Sequence, residues 1–132
     1  MLNRFYVNPI LPARDGYRAR RFYRDVLGLD LLTGETDDPM VFGAANGSSI
    51  ALSEMPDRVP PPYPVVSFMV TGIEEVVEGL KARGATFKPP GPASFAGVEG
   101  KASGDVMDFG PAKSAFLNDS EGNLIALNEF LG

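Results

Sequence analysis

GSSIALSE at 47–54 and GNLIALNE at 122–129 share Gly, Ile, Ala, Leu and Glu in register. A chain that spells the same closing strand twice is constrained toward a fold of two like halves. The rest of the sequence follows the same order. FYVNPIL (5–11) and VVSFMV (65–70) are strand-like runs, and each precedes a helical stripe. In the first, Ala19, Phe22, Tyr23, Val26 and Leu27 share one face of a helix over 16–27, with Asp15 to cap it and Gly28 to end it. In the second, Ile73, Val76, Val77 and Leu80 do the same over 72–83, Thr71 and Glu74 fit a capping box, and Gly84 suits a left-handed end.

Short strands at 29–34 (LDLLTG) and 85–88 (ATFK) follow the helices, and 40–45 (MVFGAA) and 114–118 (SAFLN) complete the sets. The pattern is βαβββ twice, an α+β fold. Its first module spans 1–54, a proline-rich linker 55–64, and its second module 65–132. Asn8 to Val65 and Gly28 to Gly84 are nearly equal steps, whereas Ile50 to Ile125 is longer, so the second copy holds about 18 extra residues after its helix. The Gly/Pro/Ala-rich stretch near 89–113 accounts for them and reads as a long loop, either a flap over a site or a solvated connection.

With 132 residues the chain buries a core without disulfides, and it contains neither cysteine nor histidine. Thiolate and imidazole chemistry are excluded, and most zinc sites with them. Arginines crowd into 1–24, but the remainder is strongly acidic and the net charge is −5. That balance argues against a nucleic-acid partner. No stretch approaches a membrane span, and MLNRFYVNPILPARD lacks the apolar core of a secretory signal, so a cytoplasmic protein without membrane partners is expected.

Asp15 followed seven positions later by Phe22 and Tyr23, then RDVLGLDL, resembles the first-module signature of the vicinal-oxygen-chelate superfamily. That superfamily includes glyoxalase I, extradiol dioxygenases and bleomycin-resistance proteins. KARGATF and the late NDSEGNLIALNEF are similar to its second-module pattern, with Ser120 where the turn usually carries proline. The resemblance implies two βαβββ modules forming a curved mixed sheet around a cleft, and a homodimer.

The family's metal enzymes take four ligands, from His, Glu or Gln, at cleft-facing places on the first and last strand of each module. The matching places here hold Asn8, Ala51, Val65 and Ala126. One amide, two methyls and a branched aliphatic do not supply the donors a divalent ion needs, so no metal and no other cofactor is expected. Glu54 and Glu129 lie three residues beyond the alanines, on the opposite parity of a regular strand, and read as strand-end carboxylates. Asp105, Asp108 and Asp119 read as turn and loop residues.

Strand alternation assigns Tyr6, Asn8, Ser49 and Ala51 of the first module to ligand binding, and Val65, Ser67, Met69, Ala126 and Asn128 of the second. Tyr63, Phe95 and Phe109 offer aromatic faces from the flanking segments. No residue is assigned to catalysis. Small, apolar and neutral walls suit a small molecule, aromatic or cationic, held by burial and a few hydrogen bonds. The expectation is a metal-free binding protein similar to the drug-sequestering bleomycin-resistance proteins. The alternative is a glyoxalase-like lyase or isomerase, or a dioxygenase-related enzyme, that works without metal or with atypical ligands and uses Tyr6, Tyr63, a loop aspartate or Glu129 as acid or base.

Overall fold

The computed structural model describes residues 1–88, 94, 95 and 98–131, the side chains of Ser94, Phe95 and Val98 excepted. Its contacts divide the chain into two units, Met1–Pro60 with Asp119–Asn123, and Pro61–Asn118 with Leu124–Gly132.

The first unit runs β1 (Ile10–Ala13), α1 (Gly16–Arg21), β2 (Asp30–Leu31), β3 (Met40–Gly43), β4 (Ser49–Glu54). Its sheet has the order β1-β4-β3-β2, with β1 parallel to β4 and the other pairs antiparallel. The opening strand is shorter than its apolar run suggests. Leu2–Arg4 form a 3-10 turn, Phe5, Tyr6 and Val7 are exposed, and pairing starts where the Ala51 N–H donates to Pro9 O at 2.9 Å. Pro9 and Pro12 have no N–H to give, which suits a short edge strand. Asp15 caps α1 by accepting the Arg18 N–H. The helix then widens into a π turn over Phe22–Val26, with the Leu27 N–H reaching back to Phe22 O, before Gly28 at φ +72° ends it. Alternation turns Phe42 and Leu52 toward the helix, where both are buried with Ala19 and Tyr23, and the Tyr23 and Phe42 rings meet at 5.6 Å.

The second unit runs β5 (Pro64–Met69), α2 (Ile73–Ala82), β6 (Ser94–Phe95), β7 (Val98–Glu99), β8 (Lys101–Ser103), β9 (Val106–Asp108), β10 (Ala112–Asn118), β11 (Leu124–Phe130). Five strands form one sheet in the order β5-β11-β10-β9-β8, with β5 parallel to β11, and β6 pairs with β7. Two mixed sheets with few helices make this the expected α+β class. The stretch expected as a loop contributes four short strands. At two or three residues each they are too brief to show a period, and Gly104 at φ +62° closes the β8–β9 turn. ATFK makes only an isolated bridge, Phe87 to Leu117, because β9 takes the β10 edge at Lys113 and Ser114.

The capping box expected at Thr71 and Glu74 does not form. Gly72, left-handed at φ +70°, is the N-cap and offers no side chain. The Glu129 carboxylate instead accepts the Gly72 and Ile73 N–H groups, at 2.7 and 3.2 Å. Ile73 and Val77 of α2, Ala115 and Leu117 of β10, and Ile125 and Leu127 of β11 are buried and make the core of this unit.

Candidate functional site

Cross-strand register gives the five-stranded sheet two unlike faces. Lys101, Asp108, Lys113 and Glu129 stand opposite one another in a row across β8, β9, β10 and β11. This is the α2 side, since Lys113 Nζ reaches Glu74 at 2.6 Å and Glu129 holds the start of α2. The next row, on the other face, runs Ala102, Met107, Ser114, Asn128, Met69, and beside it Phe116, Ala126 and Ser67 are paired. Ser67, Met69, Ala126 and Asn128 therefore share one face, while Val65 is left unpaired at a register shift, between Pro64 opposite Leu124 and Val66 opposite Ile125. Ser114 Oγ donates to Asn128 Oδ1 and Asn128 Nδ2 donates to Ser67 Oγ, both at 2.6 Å. Ser67 and Met69 are exposed, Asn128 is half-buried, and Ala126 is buried. Ser114 was missed from sequence, although its alternation with Ala115 and Leu117 in AKSAFLN marks it as belonging to the opposite face.

In the first unit, Ile10, Ala51 and Val41 lie in one row, and Ser49 faces Gly43, all on the side away from α1. Tyr6 and Asn8 precede β1. The Tyr6 ring rests on Gly47, where a Cβ would come within 2.5 Å of it, and most of the ring is exposed. Tyr63 is exposed just before β5, while Phe109 is buried with Met107 against the backbone of Gly100. The Phe95 side chain lies outside the described residues.

The residues at the family's metal places do not fit a metal. Ala51 and Ala126 are only 2% and 4% exposed and end in methyl groups. Among the described residues no group of three or more His, Cys, Asp or Glu side chains is placed to hold an ion. Glu54 and Glu129 turn to the helix side in each unit, where Glu54 accepts the Gly16 N–H and Glu129 the two amides of α2.

The densest polar cluster also went unread from sequence. In the first unit the turn 119–123 brings in two carboxylates. Glu121 Oε1 accepts the N–H groups of Arg14 and Asp15, its two oxygens take Arg18 Nη2 and Nε, and Ser120 Oγ donates to it as well. Burial works against this charge, but the Arg18 guanidinium, the Asp15 amide and the Ser120 hydroxyl outweigh it and hold the carboxyl below its ordinary value. Asp119 accepts the Glu121 and Asn123 N–H groups and the Tyr23 hydroxyl, the last at 2.6 Å. Burial first, and then the Asp119 charge and hydrogen bond, push the Tyr23 phenol well above its ordinary value. The signal was present: DSEGN combines a turn with four residues, Asp119, Ser120, Glu121 and Asn123, whose polar side chains have to be satisfied if that turn is buried.

A cavity of about 380 Å³ opens beside α1 in the first unit, lined by Asp15, Tyr17, Arg20, Glu35, Asp38 and Glu54 among others, and by none of the residues assigned to ligand binding. Several of its carboxylates are engaged by backbone. Asp15 accepts the Arg18 N–H, Asp38 the Glu54 N–H, and Glu54 the Gly16 N–H. The cavity reads as the gap between α1 and a braced loop.

A scaffold of two related α+β units, each closing on a glutamate-tipped strand beside a small-residue floor, defines the class. The profile of the Glyoxalase/Bleomycin resistance protein/Dioxygenase superfamily matches residues 6–127, and the chain belongs to that superfamily. Among solved structures it is similar to a glyoxalase/bleomycin resistance protein/dioxygenase from Alicyclobacillus acidocaldarius, with a TM-score of 0.67 and 19% identity over 97% of this chain and 92% of that one. A fosfomycin resistance protein from Listeria monocytogenes aligns with a TM-score of 0.65 and 18% identity, covering 97% and 92%. A glyoxalase/bleomycin resistance protein from Streptomyces sp. CB03234 aligns at 0.62 and 21%, covering 94% and 99%. At these identities the likeness is one of fold. No curated protein matches the sequence.

Proposed function

We propose that this chain is a metal-free small-molecule-binding protein that holds its ligand on the sheet faces turned away from the helices. The observation that carries the reading is chemical. Where the metal enzymes of the superfamily need donor side chains, Ala51 and Ala126 present buried methyl groups, Val65 an aliphatic, and Asn8 a single amide. Small floors with a few neutral hydrogen-bonding groups suit capture by burial rather than turnover. Resemblance to resistance proteins in the superfamily favours a drug-sequestering role, and the three solved relatives above, whose printed names all mention resistance, point the same way. A cytoplasmic homodimer belongs to the same proposal, supported by the resemblance and by exposed Phe5, Tyr6, Val7 and Ile10.

The competing reading, a metal-independent acid–base enzyme, has less support. Glu129 is committed to the start of α2 and Asp119 to its turn, and Asp105 is paired with Lys81. A thermal-shift screen of planar compounds, run with and without chelator, tests the proposal. A ligand at one hundred times its Kd is expected to add about 2.7 kcal/mol of stability, equally in both arms. Stabilisation that appears only with added divalent metal contradicts it.

A further inference from the structure

We propose that the face of the five-stranded sheet turned away from α2 binds a neutral, planar molecule through its hydrogen-bond acceptors, with Ser67 and Asn128 as the donors. The proposal rests on the metal-free binding reading above and gives it a ligand class.

Ser114 spends its one hydroxyl proton on Asn128 Oδ1, and Asn128 spends one of its two Nδ2 protons on Ser67 Oγ. An amide nitrogen carries two protons and a hydroxyl one, so the second Nδ2–H and the Ser67 O–H remain for a ligand. The bond from Ser114 fixes which end of the amide points toward β5, and successive bonds polarise one another in one direction. The edge of this row therefore donates. A molecule lying along it is met by one N–H and one O–H and is recognised by carbonyl or ring-nitrogen acceptors.

Charge decides the rest. Strand-borne Lys101, Asp108, Lys113 and Glu129 all stand on the α2 side, and the rows through Asn128 and Ala126 hold neutral side chains from β5 to β10, with Lys88 beyond Phe116 at the far edge. Beside Ser67 and Asn128 a cation stripped of water meets no strand-borne carboxylate, and exposed Lys88 lies across β11 and β10 from them, so a charged ligand there pays desolvation without a partner. Ala126 adds only a methyl group to this face beside Phe116, and exposed Met69 offers a flexible apolar wall near it. The chain's overall acidity, which favours cationic ligands on composition alone, is not expressed on this face.

Coumarin, naphthalene and N-methylquinolinium are flat bicycles of similar size that carry a neutral carbonyl, no acceptor and a positive charge respectively. Each is titrated into the full-length 15N-labelled protein, and the Asn128 side-chain NH2 signal is followed together with the backbone amides. Coumarin is expected to move the Asn128 signal saturably and to bind more tightly than the other two. Ser67→Ala and Asn128→Leu are each expected to weaken coumarin about fivefold and to leave naphthalene unchanged, with the remaining amide spectrum reporting an intact fold. Tighter binding of N-methylquinolinium at this face, or coumarin affinity untouched by both substitutions, overturns the donor assignment while a binding protein remains. Silence of every β5, β10 and β11 signal with all three probes overturns the binding reading of this face as well.

Discussion

Both units carry a glutamate at the end of the equivalent strand, and they use it unequally. Glu129 accepts two amides at the start of α2, one of them at 2.7 Å, whereas Glu54 accepts one at the start of α1, at 3.3 Å. The difference follows from what else each helix start possesses. Gly72 gives α2 no side-chain cap, so the strand glutamate supplies one. α1 has Asp15, and it also receives Glu121, whose oxygens gather two backbone amides and the Arg18 guanidinium. The helix that loosens into a π turn after six residues is the one with the heavier anchoring. The duplicated scaffold kept the parity of its strands and changed the means of fastening its helices.

Removing Glu121 gives the largest expected effect. Glu121→Ala strands two amides and unpairs Arg18, and is expected to cost about 3 kcal/mol in chemical denaturation. A cost close to that of Glu129→Ala would erase the contrast between the units. Acid titration sharpens it. Because the folded carboxyl of Glu121 is held below its ordinary value, its contribution is present above the unfolded value of about 4.3 and is lost as pH falls through the folded one. The wild type is expected to lose stability in that window more steeply than Glu121→Ala, as read by denaturation midpoints at successive pH values.

Tyr23→Phe comes next, at about 1 to 2 kcal/mol, since it takes one donor from buried Asp119. The phenol's raised value makes its contribution present below about pH 10 and lost as pH rises above it, so the variant is expected to flatten the alkaline limb of the same profile. Glu129→Ala removes the side chain that accepts the Gly72 and Ile73 N–H groups at the start of α2 and is expected to cost about 1 kcal/mol, with faster amide exchange confined to the first turn of that helix. Glu54→Ala, with one long bond to lose, is expected to change stability by about 0.3 kcal/mol. A larger loss for Glu54 than for Glu129 would reverse the comparison.

Much of this was legible beforehand, and what was not has physical causes. The repeated IAL strands, the helix stripes and the glycine stops announced two βαβββ units because periodicity and turn chemistry are local. Cross-strand register then aligned Ser67 with Ala126 and Met69 with Asn128, as strand alternation requires. The strands over Lys101–Ser103 and Val106–Asp108 escaped notice because each exists only by pairing with a neighbour. Ser114 and Glu121 were overlooked for a related reason. One matters through a cross-strand partner and the other through a helix more than a hundred residues away in sequence, and neither contact leaves a local pattern.

The claim on which the functional account stands is that Ala51, Ala126, Val65 and Asn8 leave the protein without a grip on metal. Inductively coupled plasma mass spectrometry of protein purified without an affinity tag, after incubation with zinc, nickel, manganese and ferrous iron and passage through a desalting column, measures this directly. The account predicts only trace metal and a melting temperature unmoved by chelator. One ion per chain retained through the column, with a turnover that chelator abolishes, would contradict it.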